Sequence, residues 1–306
     1  MNNSAKGFIP VMLTPFKDNG KIDFEGLTKL TELYVEAGAA GLFASCLSSE
    51  MFELSEMERF MVVEHVVKVT NGAIPVVATG TFGGPIPQQA DFVKRIYSAG
   101  VEAVIGITSL LGDQNDSDEV FNAHVFELLD LTENIPMGFY ECPVPFKRLL
   151  STAQLESFVN TGRVIYHKDT SLDINQIKSK IASVKNPAFG LYDAYMVHAV
   201  ASLKAGSAGL SCIQGNFFPE LIVWLCNHYD DDKKLNEVNA VQEFLVNNMD
   251  VMHDVYPIVA KYALQKRGLE ISTFTRRKVG DFSLGVKNNI EKLQSDYSIL
   301  QQEISL

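Results

Sequence analysis

The chain has 306 residues, 46% of them hydrophobic and 21% charged, with 26 basic against 37 acidic side chains for a formal charge of −11. This length and composition fit a soluble globular chain that can bury a large core, and they admit an α/β barrel as one domain. An acidic chain without a basic run excludes nucleic acid and anionic membrane as natural partners, so an anionic ligand would need local, buried positive charge.

Four cysteines, Cys46, Cys142, Cys212 and Cys226, form no CxxC pair. That spacing argues against a zinc knuckle or a disulfide framework and for reduced thiols in the cytoplasm. The first residues lack the apolar stretch of a signal peptide, and no apolar run is long enough to span a bilayer.

From there short apolar strands alternate with amphipathic helices. A strand is expected over residues 8–13, a helix over 23–37 with Gly38 as its stop, and a strand over 41–44. The second helix opens on Ser55-Glu56-Met57-Glu58, a capping box whose side chains satisfy free backbone N–H groups, and ends at Asn71-Gly72. A strand over 74–79 precedes a helix with Pro87 in its first turn and Gly100 as its stop. Strands over 103–107, 135–140, 163–168, 188–192 and 208–213 follow, separated by helices starting near Ser117, Ser151, Asp173 and Tyr195. Beyond them helices are expected over 219–229, 235–252, 257–266 and 286–303, with a solvated turn at 230–234. The predicted fold is a (β/α)8 TIM barrel with a C-terminal helical extension. Residues 1–216 would form the barrel, and 217–306 the last barrel helix and an extension packed on it, all one structural domain because no flexible linker intervenes.

In such a barrel the active site lies at the C-terminal ends of the strands. Lys168 ends the run Val164-Ile165-Tyr166-His167-Lys168. Period-two alternation puts Val164, Tyr166 and Lys168 on one face. If that face looks inward, burial frees a nucleophilic amine for a carbonyl carbon. A snorkelling lysine, or one paired with Asp169, is equally consistent with the pattern. Tyr140 ends the neighbouring strand, where its phenol could pass a proton, although a core tyrosine fits as well. Ser48 could orient that phenol or bind a carboxylate. The six histidines show no metal-ligand spacing, and His167 should point away from Lys168. The stretch Gly80-Thr81-Phe82-Gly83-Gly84 lacks the order of a dinucleotide fingerprint. Cys46 and Cys142 read as small hydrophobes near the pocket.

These residues resemble the dihydrodipicolinate synthase / N-acetylneuraminate lyase family of class I aldolases, as a divergent member. The likeness is carried by Gly7 through Phe16, Gly41-Leu42-Phe43 leading to Glu50, Tyr140 with Pro143, Lys168-Asp169, Gly206 to Gly209, and Pro257-Ile258-Val259-Ala260-Lys261. The resemblance implies a Schiff-base lysine at Lys168, an acid–base tyrosine at Tyr140 and a substrate-carboxylate loop. That loop, usually Gly-Ser/Thr-Thr-Gly-Glu, is here Cys46-Leu47-Ser48-Ser49-Glu50, where Ser48 can replace one hydroxyl residue and Leu47 cannot replace the other. Further substrate contacts are expected from Thr14, Leu47, Ser49, Thr170, Asp193, Gln214 and Gly215. Dihydrodipicolinate synthases also carry an arginine shortly after the catalytic tyrosine and a tyrosine after strand four. The matching positions are near Pro145 and within Ser109-Leu110-Leu111-Gly112, which argues against strict dihydrodipicolinate synthase activity.

The expected function is a class I lyase or aldolase that forms or cleaves a C–C bond next to a pyruvate-derived enamine, with no metal or organic cofactor. The alternatives are a 2-keto-3-deoxy sugar acid dehydratase using the same lysine, and a ligand-binding barrel without turnover. The family implies a homo-oligomer, a tetramer or a dimer.

Overall fold

The computed structural model describes residues 5–306. Eight parallel strands carry the barrel: β1 (Gly7–Phe8), β2 (Leu42–Ser45), β3 (Val76–Thr79), β4 (Ala103–Ile107), β5 (Met137–Tyr140), β6 (Val164–Asp169), β7 (Gly190–Asp193) and β8 (Gly209–Leu210). Between them run α1 (Phe24–Glu36), α2 (Glu56–Thr70), α3 (Ile86–Ser98), α4 (Asp118–Leu131), α5 (Thr152–Val159), α6 (Ile174–Ser183) and α7 (Ala199–Lys204), and α8 (Pro219–His228) follows β8. The strand order is β1-β8-β7-β6-β5-β4-β3-β2. A parallel bridge between Val11 and Phe43 closes the ring. There the Met12 N–H donates to the Phe43 carbonyl at 3.1 Å and the Phe43 N–H to the Pro10 carbonyl at 3.0 Å. The predicted (β/α)8 barrel is therefore the observed fold.

The first and last strands are shorter than their apolar runs predict. Pro10 offers no N–H to a ladder, so regular pairing stops at Phe8 and resumes as the Val11 bridge. After Leu210 the chain turns into a 3-10 segment, Ile213–Asn216. At the β1–β8 seam glycine is required, because a Cβ on Gly209 would lie 1.7 Å from the Gly7 carbonyl oxygen. The predicted helix over 195–205 begins as a 3-10 turn, Met196–His198, and becomes α-helical only at Ala199.

The Ser55 capping box forms as expected: Ser55 Oγ accepts the Glu58 N–H at 3.3 Å, and Glu58 Oε2 accepts the Ser55 N–H at 2.9 Å.

Strand alternation sorts side chains into two cores. Outward residues such as Val104 and Phe139 pack under the helices, while Val11, Phe43, Val77, Ile105, Tyr140, Tyr166 and Tyr192 fill the barrel. One expectation fails here. Val164 packs in the outer core, whereas Tyr166 faces inward with Lys168. The ladder shifts by a residue at this point, with Met137 paired to Val164 and Gly138 to Tyr166. Such a bulge resets the alternation.

The extension comprises α9 (Leu235–Asn247), α10 (Met249–His253), α11 (Ile258–Lys266) and α12 (Leu284–Ile304). The predicted helix over 235–252 is split at Asn248, whose side chain bonds the Phe244 carbonyl at 2.9 Å. The Tyr297 ring of α12 stacks on Phe218 at 3.9 Å, and its hydroxyl donates to Glu220 at 2.5 Å. Among the described residues no helix is long and apolar enough to cross a membrane.

Candidate active site

Lys168 and Tyr140 are direct cross-strand partners at the ends of β6 and β5. The Lys168 ammonium nitrogen lies 4.3 Å from the centre of the Tyr140 ring, and both side chains are 4% exposed. Lys168 makes no hydrogen bond or ion pair among the described residues. Burial pulls its pKa below the ordinary lysine value, partly offset by the thiols of Cys46, Cys142 and Cys212 around it. Cys142 and Cys212 supply no thiolate counter-charge at neutral pH, since burial raises Cys142 and pushes Cys212 up to about 12. Burial likewise lifts the Tyr140 phenol well above its usual value, with Cys142, Cys46 and Tyr256 adding to the effect. The result is an amine biased toward its neutral, nucleophilic form beside a phenol that keeps its proton.

Asp169 does not pair with Lys168. It faces the opposite side of β6, where Lys180 of α6 bonds both Asp169 and Glu141 at 2.6 Å. His167 points outward as expected, its Nε2 3.4 Å from Glu141 and 3.7 Å from Asp169. Glu141, His167 and Asp169 could offer three ligand atoms to a cation, but the Lys180 ammonium already supplies positive charge between the two carboxylates. Glu141 also accepts the N–H groups of Leu150 and Thr170, each at 2.9 Å. This buried cluster therefore fixes the loops after the two strands that carry Tyr140 and Lys168.

The loop after β2 forms a 3-10 turn, Leu47–Ser49. Thr14 and Ser49 hold it. The Thr14 hydroxyl donates to the Ser49 carbonyl at 2.8 Å, and the Ser49 hydroxyl donates to the Met12 carbonyl at 2.8 Å while accepting the Cys46 N–H at 3.0 Å. The N–H groups of Leu47 and Ser48 are the first two of the turn and have no partner among the described residues. Glu50 closes the turn in a left-handed conformation, φ 57°. Its buried carboxylate meets Lys261 of α11 at 2.8 Å and accepts the N–H groups of Arg276 and Arg277 at 2.7 and 2.9 Å. The extension thus locks the loop in place.

Sequence reasoning missed Tyr256. This residue precedes α11 and places its phenol beside the Ser48 hydroxyl and close to Tyr140. Asn216 Nδ2 donates to the Tyr256 oxygen at 2.6 Å and to the Val11 carbonyl at 2.9 Å, while Asn216 Oδ1 accepts from Tyr34 at 2.5 Å. With all three of these Asn216 bonds made, the Tyr256 oxygen is an acceptor toward Asn216 and its own proton is available on the Ser48 side. The only signal in the sequence was a tyrosine immediately before the stretch 257–261.

The other predicted contacts separate. Leu47 is partly exposed at the barrel mouth. Gln214 follows β8 with its Oε1 buried and without a partner among the described residues. Gly215 is spent on packing, because a Cβ there would lie 1.9 Å from the Phe8 ring. Asp193 lies in register with outward-facing Asp169, caps its own turn by accepting the Tyr195 N–H at 2.9 Å, and sits 3.0 Å from His198 Nε2. Thr170 bonds the Glu141 carbonyl at 2.6 Å. A cavity of about 840 Å³ opens at the far end of the barrel, among strand-start residues such as Leu42, Val76 and Ala103. The stacked Tyr166 and Tyr192 rings, 4.7 Å apart, form part of its wall. Neither Lys168 nor Tyr140 lines it, and it opens at the end opposite the one where barrel active sites form.

Comparison with known proteins agrees with this geometry. The pattern of the Dihydrodipicolinate synthetase family matches residues 4–296. A 4-hydroxy-tetrahydrodipicolinate synthase of Bacillus subtilis (strain 168) is 25% identical over 86% of this chain and 89% of its own. An N-acetylneuraminate lyase of Citrobacter koseri is 29% identical over 68% of this chain and 69% of its own. Among solved structures, a prophage protein of the dihydrodipicolinic acid synthase family from E. coli K12, in complex with pyruvate, superposes with a TM-score of 0.85 at 21% identity, covering 96% of this chain and 98% of that one. The chain belongs to the dihydrodipicolinate synthetase family.

Proposed function

We propose that this chain is a lyase of the class I aldolase type that acts on pyruvate or a closely related 2-oxo acid through a Schiff base on Lys168. The observation that carries the reading is the buried, unpaired Lys168 amine with its lowered pKa, 4.3 Å from the Tyr140 ring. The related Citrobacter enzyme is named a lyase, and a structural neighbour holds pyruvate.

The neutral amine attacks C2 of the oxo acid. Water leaves, and the resulting iminium draws electrons from C3 to give an enamine, so the imine itself acts as electron sink. Tyr140 gives and takes the protons of these steps, with the Tyr256 phenol and the Ser48 hydroxyl close by. The Ser48 hydroxyl and the N–H groups of Leu47 and Ser48 receive the substrate carboxylate. Thr14, Ser49 and Glu50 serve this step indirectly, by holding that turn.

Treatment with pyruvate and borohydride tests the reading. The expected result is a stable mass added to the peptide containing Lys168, absent in Lys168→Ala. No adduct with any 2-oxo acid would reject it.

A further inference from the structure

We propose that the partner joined to the enamine is an apolar aldehyde, aliphatic or aromatic, in preference to a polyhydroxylated or charged one. This rests on the Schiff-base reading above and adds the substrate class.

The mouth of the barrel carries the argument. Leu47 and Phe52 from the loop after β2, Phe82 after β3, Leu110 after β4, Val144 after β5 and Ile213 after β8 are all partly exposed. All six pack onto the same interior cluster that contains Tyr140 and Cys142. Phe52 and Phe82 meet edge to face at 6.1 Å. Apart from the Leu47 and Ser48 groups assigned to the substrate carboxylate, several polar groups around these side chains are already engaged. Thr108 donates to the Arg148 carbonyl at 2.7 Å, Ser109 to the Val144 carbonyl at 3.4 Å, and Gln89 to the Leu110 carbonyl at 2.9 Å. Three neighbouring cations are held as well. Lys147 bonds the Thr170 carbonyl at 2.6 Å, Arg148 turns to Asp118 and the Phe121 ring, and Arg59 lies on the Phe82 ring with its Nε on the Met51 carbonyl at 2.8 Å.

Unused hydrogen-bonding capacity lies deeper. Thr79 shares the inward face of Val77, and its hydroxyl and Gln214 Oε1 are buried without partners among the described residues. The unpartnered polar groups are thus those of the β2 turn, Thr79 and Gln214, while the partly exposed side chains named at the mouth are apolar. Sugar hydroxyls placed against Leu, Phe and Val side chains lose their water partners and gain none. An alkyl or aryl group covers the same surface with a net gain.

The step is an aldol addition. The enamine carbon forms a C–C bond to the aldehyde carbon, and the carbonyl π pair moves to the aldehyde oxygen, which takes the Tyr140 proton. Water then hydrolyses the iminium: its oxygen becomes the C2 carbonyl, the C–N bond to Lys168 breaks, one proton stays on the amine and the other returns to the Tyr140 phenolate, releasing a 4-hydroxy-2-oxo acid.

The test uses the full chain loaded with pyruvate, with one aliquot trapped by borohydride to establish the imine. The remainder receives benzaldehyde, hexanal, D-erythrose or aspartate semialdehyde, and the 4-hydroxy-2-oxo acids are quantified by mass spectrometry. Benzaldehyde or hexanal is expected to exceed the other two in kcat/KM by about tenfold or more, the scale on which apolar pockets discriminate. Leu110→Asn and Val144→Asn, each checked by trapping, should narrow that ratio. An imine with equal or better use of erythrose or the semialdehyde, with no use of any aldehyde, or with a ratio unmoved in both variants, overturns the proposal and leaves the Schiff-base reading standing. Absence of the imine removes both.

Discussion

Tyr140 stands beside Lys168 and Tyr256 beside Ser48, and the proposed reaction gives the two tyrosines different work. Tyr140 is the cross-strand neighbour of Lys168, its ring against the amine. Tyr256 reaches the site from the extension and is oriented by Asn216 and Ser48. In the proposed reaction the Tyr140 hydroxyl transfers protons at the reacting atoms. Tyr140→Phe should therefore lower kcat by about 10²–10⁴-fold while pyruvate is still trapped on Lys168. Tyr256→Phe should fall less, by about tenfold, because the phenol acts through its neighbours. Steady-state kinetics with parallel trapping checks both, and equal losses in the two variants would contradict the division of roles. Lys168 and Tyr140 were legible in the sequence because each ends a strand. Tyr256 was not, since nothing in its neighbours' spacing points toward a barrel mouth.

At the scale of elements, the Glu141–His167–Asp169–Lys180 cluster ties β5, β6 and α6 together behind the reacting centre. Lys180→Met would leave two buried carboxylates without their ammonium. A loss of about 3–5 kcal/mol in urea unfolding is expected, as for other broken buried pairs. His167 adds a pH dependence. Burial opposes its charged form, but Glu141 and Asp169 win and its pKa is raised. Its contribution to stability is therefore fully present below its unfolded value of about 6.5 and is lost as pH rises through the higher folded value. Unfolding midpoints compared between about pH 6 and pH 9 should fall in the wild type and fall less in His167→Gln. The sequence reading took Asp169 as a candidate partner for Lys168. Strand alternation forbids that pairing, because adjacent residues point to opposite faces.

For the whole molecule, the extension is more than a cover on the barrel. Lys261 and the backbone at Arg276 and Arg277 grip Glu50, so α11 and the segment after it support the turn that carries Ser48. We expect residues 1–216 and 217–306 to unfold in one transition for this reason. A homo-oligomer, tetramer or dimer, is also expected. Light scattering at micromolar concentration should give a multiple of the 33.9 kDa chain mass, and a monomer would contradict it.

What the sequence determined by itself was periodic and local. Apolar runs marked the strands, Ser55 with its partner three residues on marked a helix start, and strand ends selected Lys168 and Tyr140. The strand ladder then decided that Val164 leaves their face, by a bulge no alternation rule could reveal. Glu50 and Lys261 lie 211 positions apart, and Lys180 meets Glu141 across 39. Such pairs come into being only when the ring closes and brings loops from distant strands to one end. Hydrophobic period encodes which face is buried, and carries no record of which buried charges will meet there.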